Sequence, residues 1–498
     1  MRTRTIVIGV IAVAILAVLA IVLIPKLVKK PEQVSTQTYW PTQGWRTSTP
    51  EEQGFDSTKL AEGLQAIQEL NIPIDSLLVI RNGSVILDAY FYNPYDGTFP
   101  HDMASVTKSV MTTLIGIAVD QGRIQLDQSM LSFFPDRKIA NLDDRKKNIT
   151  VRHLAGMVNG FSSGGMTGNE ATLDAMRATP DWVQATLDRK MVQEPGMSFC
   201  YDSPGMHLLS AILQESTGMT ALEFAQKNLF GPLGIQDVIW ESDPQGYTLG
   251  WGDIHLKPRD AAKLAYLWLN KGVWEGVQII SASWVEDAVK PHTSAGEDDY
   301  GYGWWVSEDS YYAYGRGGQN IKVMPSFNTI VVTTGSGLEY DEVAPYLIEA
   351  VVDPAKVLPA SPAGVAKLNV ALTALVKPLR PLPVGPLPDT AQAISGKTYV
   401  FKPNSALVDT LSLQFDDSAE ATMYLKRRGS DVIWRIGLDN KYRPSSDGLE
   451  LRGYWEDPQT FIIEVFDVGL STRRLYFTED RLLINTPGAK IEGQVENP

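Results

Sequence analysis

The sequence predicts an α+β body followed by a separate all-β domain. Three patterns carry this reading. Strand-like runs at residues 76–92 and 300–334 flank a long helical middle, so one sheet joins the two ends of the body. Residues 353–390 hold eight prolines and read as a linker with a short helical stretch. From residue 391 onward, short apolar-polar runs recur at close spacing, as in a small antiparallel barrel or sandwich.

Taken in order, residues 6–24 are uninterrupted apolar, long enough to cross a bilayer. Arg2 and Arg4 precede the run; Lys26, Lys29 and Lys30 follow it. A cleaved secretory signal has a shorter apolar core and a small-x-small site after it, whereas this run ends in Ile-Pro-Lys. Residues 1–30 are therefore expected to be a single-pass transmembrane anchor. Residues 31–50 would be a tether, and the folded body would lie outside the cytoplasm.

The stretch 60–70 has helical spacing. Asn82-Gly83 between two β-rich runs marks a hairpin. A helix should start near Ser105, and residues 120–275 show helix-length patterns broken by Gly, Pro and Asn. Strands are expected at 300–306, 311–314 and 329–334, with a closing helix at 342–352. The body thus spans 51–352. The C-terminal domain, 391–498, shows eight strand-like runs, at 398–401, 411–415, 421–425, 432–436, 449–455, 461–466, 474–477 and 481–484.

Composition narrows the function. The 498 residues are 44% hydrophobic, ample for more than one core. A net charge of −14, with no basic run outside the N-terminus, argues against nucleic acid, whose phosphates need clustered Lys and Arg. The single Cys200 excludes an intrachain disulfide and a cysteine-based zinc site. The histidines (His101, His153, His207, His255, His292) are scattered without metal-helix spacing, so no metal or cofactor is expected.

Ser105-Val-Thr-Lys108 opens the apolar run that ends at Val119. Residues three apart share a helix face, so the Lys108 amine can reach the Ser105 hydroxyl. A serine hydroxyl attacks only when a neighbour takes its proton, and the first helical turn favours negative charge. Two further pieces follow downstream. Tyr201-Asp-Ser203 stands in a loop just before a helix, and Tyr314-Gly-Arg-Gly-Gly-Gln319 introduces a strand.

With this set in this order, residues 51–352 resemble the serine β-lactamase-like hydrolases. These include class C β-lactamases, D-alanyl-D-alanine carboxypeptidases, related esterases and 6-aminohexanoate-oligomer hydrolases. Val151-Arg-His-Leu-Ala-Gly-Met-Val-Asn-Gly160 and Tyr300-Gly-Tyr-Gly-Trp-Trp305 add local matches. The resemblance implies an antiparallel sheet flanked by helices, with a helical subdomain inserted. It implies Ser105 as the acylated nucleophile, with Lys108 and Tyr201 sharing the base role. Tyr201 would protonate the leaving group and activate water. The backbone N–H groups of Ser105 and Gln319 would form the oxyanion hole. Ser203, Arg316, Gly317 and Gly318 would contact the substrate, a small-molecule or peptide-like ester or amide. Residues 391–498 resemble the lipocalin-like domain often appended to such enzymes, as a stabilising or cleft-shielding module or as one that binds substrate or wall.

Two departures bear on substrate. Penicillin-active members usually carry Asn where this chain has Ser203, and Lys-Thr-Gly or His-x-Gly where it has Arg316-Gly317-Gly318. A hydroxyl reaches less far than an amide, though Arg316 could clamp a carboxylate. Both changes favour the esterase and amidase branches. The alternatives are a peptidoglycan D,D-peptidase or β-lactamase, and a non-catalytic wall-binding or sensor module. Gly160-Phe-Ser-Ser-Gly164 spells another hydrolase elbow but lacks its strand-turn-helix setting, so Ser162 is set aside. Cys200 reads as a small buried residue, His153 and His207 as packing or capping groups, and Trp304 and Trp305 as cleft wall or core.

Overall fold

The computed structural model describes residues 39–91, 95–161, 170–375, 380–404, 406–416, 419–427, 429–467, 469–486 and 489–496. The apolar run 6–24 and the first part of the expected tether 31–50, residues 31–38, lie outside these, as does Ser162. The rest of that stretch is part of the body, with Trp45 buried and Arg46–Thr47 paired to Ser84 and Val85. Among the described residues no helix is long and apolar enough to cross a membrane.

The body is built on a nine-stranded sheet. An inner strand, Ile74–Arg81, is hydrogen-bonded to Ser84–Tyr90 on one side and to Thr329–Gly335 on the other. This pairing joins the two ends of the body. The hairpin register pairs Arg81 with Ser84, leaving Asn82 and Gly83 as a two-residue loop. Both have positive φ, +49° and +73°, as such a turn demands. Every residue of Ile74–Arg81 is buried because helices cover both faces. Leu77 and Val79 pack with Leu60, Leu64 and Ile67 of the helix Ser57–Glu69. Leu78 and Ile80 face the larger core, which includes the helices Thr107–Asp120, Ser203–Thr217 and Pro258–Leu269. Asp56 caps the first of these helices by accepting the N–H groups of Thr58 and Lys59.

Three expectations change. The strand expected at 300–306 is a hairpin, with Asp299–Tyr300 paired antiparallel to Trp305–Val306. Gly301 and Gly303 make the reversal. A Cβ on Gly303, which has φ +76°, would sit 2.3 Å from Thr112 Oγ1 on the serine helix. The closing helix is shorter, Ala344–Ala350. The proline-rich stretch is more than a linker: its expected helical part is Pro362–Leu375, which packs on Ser57–Glu69 through buried Leu368 and Leu375.

The C-terminal domain is a closed barrel of nine strands rather than eight. They are Thr398–Phe401, Val408–Phe415, Glu420–Arg427, Ser430–Gly437, Glu450–Asp457, Thr460–Asp467, Gly469–Phe477, Arg481–Thr486 and Ala489–Val495. Antiparallel pairing runs round the wall, and a parallel bridge from Gly437 to Arg452 closes it. A short tenth strand, Arg443–Pro444, sits beside Glu450–Asp457. The strand missed in the sequence is Ala489–Val495. One of its inward positions is Gly493, and the Phe401 ring fills the space where a Cβ would stand, 2.7 Å away. A glycine facing inward leaves little apolar signal. The interior is filled by side chains such as Leu413, Trp434, Ile436, Phe461 and Ile463.

Candidate active site

The turn that carries Ser105 begins at a short strand, His101–Asp102, paired with Ile254–Leu256. Met103 N–H donates to the Ile254 carbonyl at 2.8 Å. The Asp102 carboxylate then accepts the Ala104 N–H at 2.7 Å. Ala104 has φ +45°, a left-handed conformation that a residue with a Cβ adopts only when its surroundings impose it. The Thr107 hydroxyl donates to the Ala104 carbonyl at 2.6 Å and accepts Ile254 N–H at 3.2 Å. The result is a tight turn, Ala104–Val106, feeding the helix Thr107–Asp120. Ser105 is the one half-buried residue in an otherwise buried run from His101 to Val110.

Lys108 lies one turn on and is 1% exposed. Its Nζ donates to Ser105 Oγ and to the Trp251 carbonyl, both at 2.8 Å. Among the described residues no carboxylate pairs with it. The Tyr201 ring lies over the same nitrogen, its centroid 4.6 Å from Nζ. Tyr201 is held from behind by Trp305, stacked at 6.4 Å and 20°. Trp305 also contacts Phe199, Tyr300 and Tyr312. Burial, with Tyr201 adding to it, pushes the Tyr300 hydroxyl well above the usual phenol range. Tyr300 is therefore a packing group beside Ser105, Lys108 and Tyr201. The neighbouring Trp304 points to the other side of the sheet and packs on Trp268 at 4.6 Å, as alternation along a strand requires.

The third wall is the strand Tyr311–Gly315. Only Tyr311 and Tyr312 pair with Trp305–Val306, so residues 313–315 present an open edge there. Gly315 touches the turn that carries Ser105: a Cβ on it would lie 2.4 Å from the Met103 carbonyl oxygen and 3.1 Å from Ala104 Cβ. Arg316, Gly317 and Gly318 form the turn into Gln319–Met324. The Arg316 side chain is exposed. Gly317 and Gly318 have φ near +91° and +94°. Gly318 is pressed on Leu338, which would stand 2.5 Å from an added Cβ. The Gln319 side chain is buried. Its amide donates to the carbonyls of Gly335 (2.7 Å) and Arg316 (3.1 Å) and accepts Gly335 N–H (3.1 Å). That side chain locks the base of the turn.

A profile of the Beta-lactamase family matches residues 59–353, more than half of the chain. The chain belongs to the β-lactamase family. It is 24% identical over 302 residues to the 6-aminohexanoate-dimer hydrolase of Paenarthrobacter ureafaciens, spanning 56% of this chain and 76% of that protein. Over 197 residues it is 25% identical to Protein flp of Staphylococcus aureus, spanning 37% of this chain and only 39% of that one. Lovastatin esterase of Penicillium rubens is 28% identical over 152 residues, or 27% of this chain and 38% of the esterase. Among solved structures, EstCE1, a hydrolase with promiscuous acyltransferase activity, superposes with a TM-score of 0.50 at 17% identity. The match covers 60% of this chain and 99% of that one. At this identity the likeness is one of fold.

In this β-lactamase-family chain, Ser203 is not a free contact. It opens the helix Ser203–Thr217, and its N–H donates to Glu170 at 2.9 Å while its hydroxyl donates to the other carboxylate oxygen. Next to it, buried Asp202 takes Arg189 at 2.7 Å and Asn159 at 2.9 Å. His207 is buried against Asp243 at 3.0 Å, and His153 closes a capping box with Thr150. Cys200 is half-buried, its Sγ 3.6 Å from the Phe161 carbonyl oxygen. No group of three or more metal-ligating side chains is gathered among the described residues. Sequence reading missed Asp102, Ala104, Glu170, Trp251 and Gly315. Each acts through backbone shape or a distant contact rather than through a motif.

Proposed function

We propose that this protein is a serine hydrolase that cleaves an ester or amide through an acyl-enzyme on Ser105. One observation carries the reading: the Ser105 hydroxyl is hydrogen-bonded to a buried lysine at 2.8 Å, with the Tyr201 phenol ring against that lysine. Ser105 Oγ attacks the substrate carbonyl, and its proton passes to the Lys108–Tyr201 pair. The oxyanion is held by the Ser105 N–H and a strand-side N–H. Two donors come into question there, Gln319 and Arg316. The contact of Gly315 with Met103 and Ala104 supports Arg316. Tyr201 then protonates the leaving group, and the same pair draws a proton from the water that frees the acid.

An amide or ester substrate is supported by the names of the 6-aminohexanoate-dimer hydrolase and lovastatin esterase relatives. The apolar run 6–24 supports a place at a membrane, with the body outside the cytoplasm. The deciding test is intact mass after exposure to a fluorophosphonate and, separately, to benzylpenicillin. One phosphonyl group per chain, lost in Ser105→Ala, is expected. A penicillin adduct as well would move the reading to a wall peptidase or β-lactamase. No adduct from either reagent would leave a binding module.

A further inference from the structure

The barrel is seated on the segment that feeds Ser105. Glu450 and Phe466 face each other across two of its strands and turn towards the hydrolase body. Phe466 is fully buried. It stacks on Tyr95 at 5.5 Å and meets Phe99 and His101 edge-on at 6.2 and 5.9 Å. Gly448, just upstream of Glu450, lies so close that a Cβ would stand 2.6 Å from Ile239 and 3.4 Å from His255. His101 and His255 belong to the two paired strands under the nucleophile turn. The barrel therefore grips both.

From Phe466 the contacts lead to the nucleophile without a gap. The His101 ring nitrogens reach the Asp102 carbonyl at 2.7 Å and Asp75 at 3.1 Å. The Asp102 carboxylate takes the Ala104 N–H. Ala104 holds its left-handed conformation, and Ser105 follows it. A conformation of that kind persists only where neighbours over-determine it. Here one support of the segment that leads into it, the Phe466 ring against His101, comes from another domain.

We propose that the C-terminal barrel is a brace for the nucleophile turn, with Phe466 as a positioning residue acting on Ser105 through His101, Asp102 and Ala104. This rests on Ser105 being the nucleophile. The test uses the full chain, comparing the parent with Phe466→Ala. Three quantities are read: amide hydrogen exchange over 101–106, kcat and KM for p-nitrophenyl acetate, and the rate of fluorophosphonate labelling. Exchange over 101–106 should rise about tenfold or more while the helix Ser203–Thr217 stays protected. The value of kcat and the labelling rate should fall roughly tenfold or more, with KM within about twofold. Tyr424→Ala, on the exposed outer wall, should change none of these. Exchange and kcat both unchanged, or a loss carried by KM alone, would overturn the brace. If Phe466→Ala does not fold, Phe466→Leu decides by the same split, with a threshold of about threefold. Exchange that responds in a parent that takes no phosphonate keeps the brace and removes the hydrolase reading. Labelling in the parent with exchange unmoved does the reverse.

Discussion

Lys108 is the residue on which the proposed chemistry turns. It is a buried amine whose hydrogen-bond partners are a hydroxyl and a carbonyl, both neutral. Burying an ionisable group without a counter-charge is costly, and the proposed function gives a reason other than stability for keeping this lysine. Lys108→Met should lower kcat by about 10²–10⁴, the range of general-base catalysis. It should leave the melting temperature unchanged or raised, because an apolar side chain of similar length replaces a buried polar one. Ester hydrolysis and a thermal melt check both halves. A large drop in melting temperature would mean that the lysine is structural.

The strand Tyr311–Gly315 and the turn before the serine helix meet at Gly315, where no side chain fits. Gly315→Ala puts a methyl 2.4 Å from the Met103 carbonyl oxygen, which is backbone and cannot swing away. Either strand or turn must shift. The expected outcome is a loss of activity of roughly 10²-fold, as for an ångström-scale displacement in an active site. Stability should fall by about 1–3 kcal/mol, the usual range for overpacking. Kinetics and denaturant unfolding measure the two. Elsewhere the elements follow their local signals closely. Asn82-Gly83 turns where such a pair should, and Ser105 and Lys108 meet because helix geometry makes them neighbours. Two of the strand signals failed at glycines: Gly301 and Gly303 broke one expected strand into two, and Gly493 concealed another.

At the junction of the two domains, Glu450 is buried with Asp96 nearby, and its carboxyl is pushed up to about 7. Burial is the larger cause, Asp96 adds to it, and Arg443 opposes both. The native state thus holds this proton more tightly than the unfolded chain does. The stabilisation is fully present below the ordinary glutamate value and is lost as pH rises through about 7. Glu450→Gln removes that loss. At pH 8 the variant should be more stable than the parent by up to roughly 3 kcal/mol, and at pH 4 the two should coincide. Denaturant unfolding across this range checks it; parallel curves would show that Glu450 is solvated.

What the sequence determined by itself is what neighbours along the chain decide. The Ser105–Lys108 contact, the hairpin, the α+β order and the alternating strands of the barrel all rest on spacings of a few residues. The tertiary structure alone decided the rest. The Lys108–Trp251 bond spans 143 positions, and the Ser203–Glu170 bond spans 33. The closeness of Gly315 to Ala104, and the reach of Phe466 to His101, likewise join segments far apart. None of these pairs is a motif, because each residue suits its own element equally well without its partner. Only the packing of the chain into one body brings them together, and that packing sets the φ of Ala104 and the presentation of Ser105.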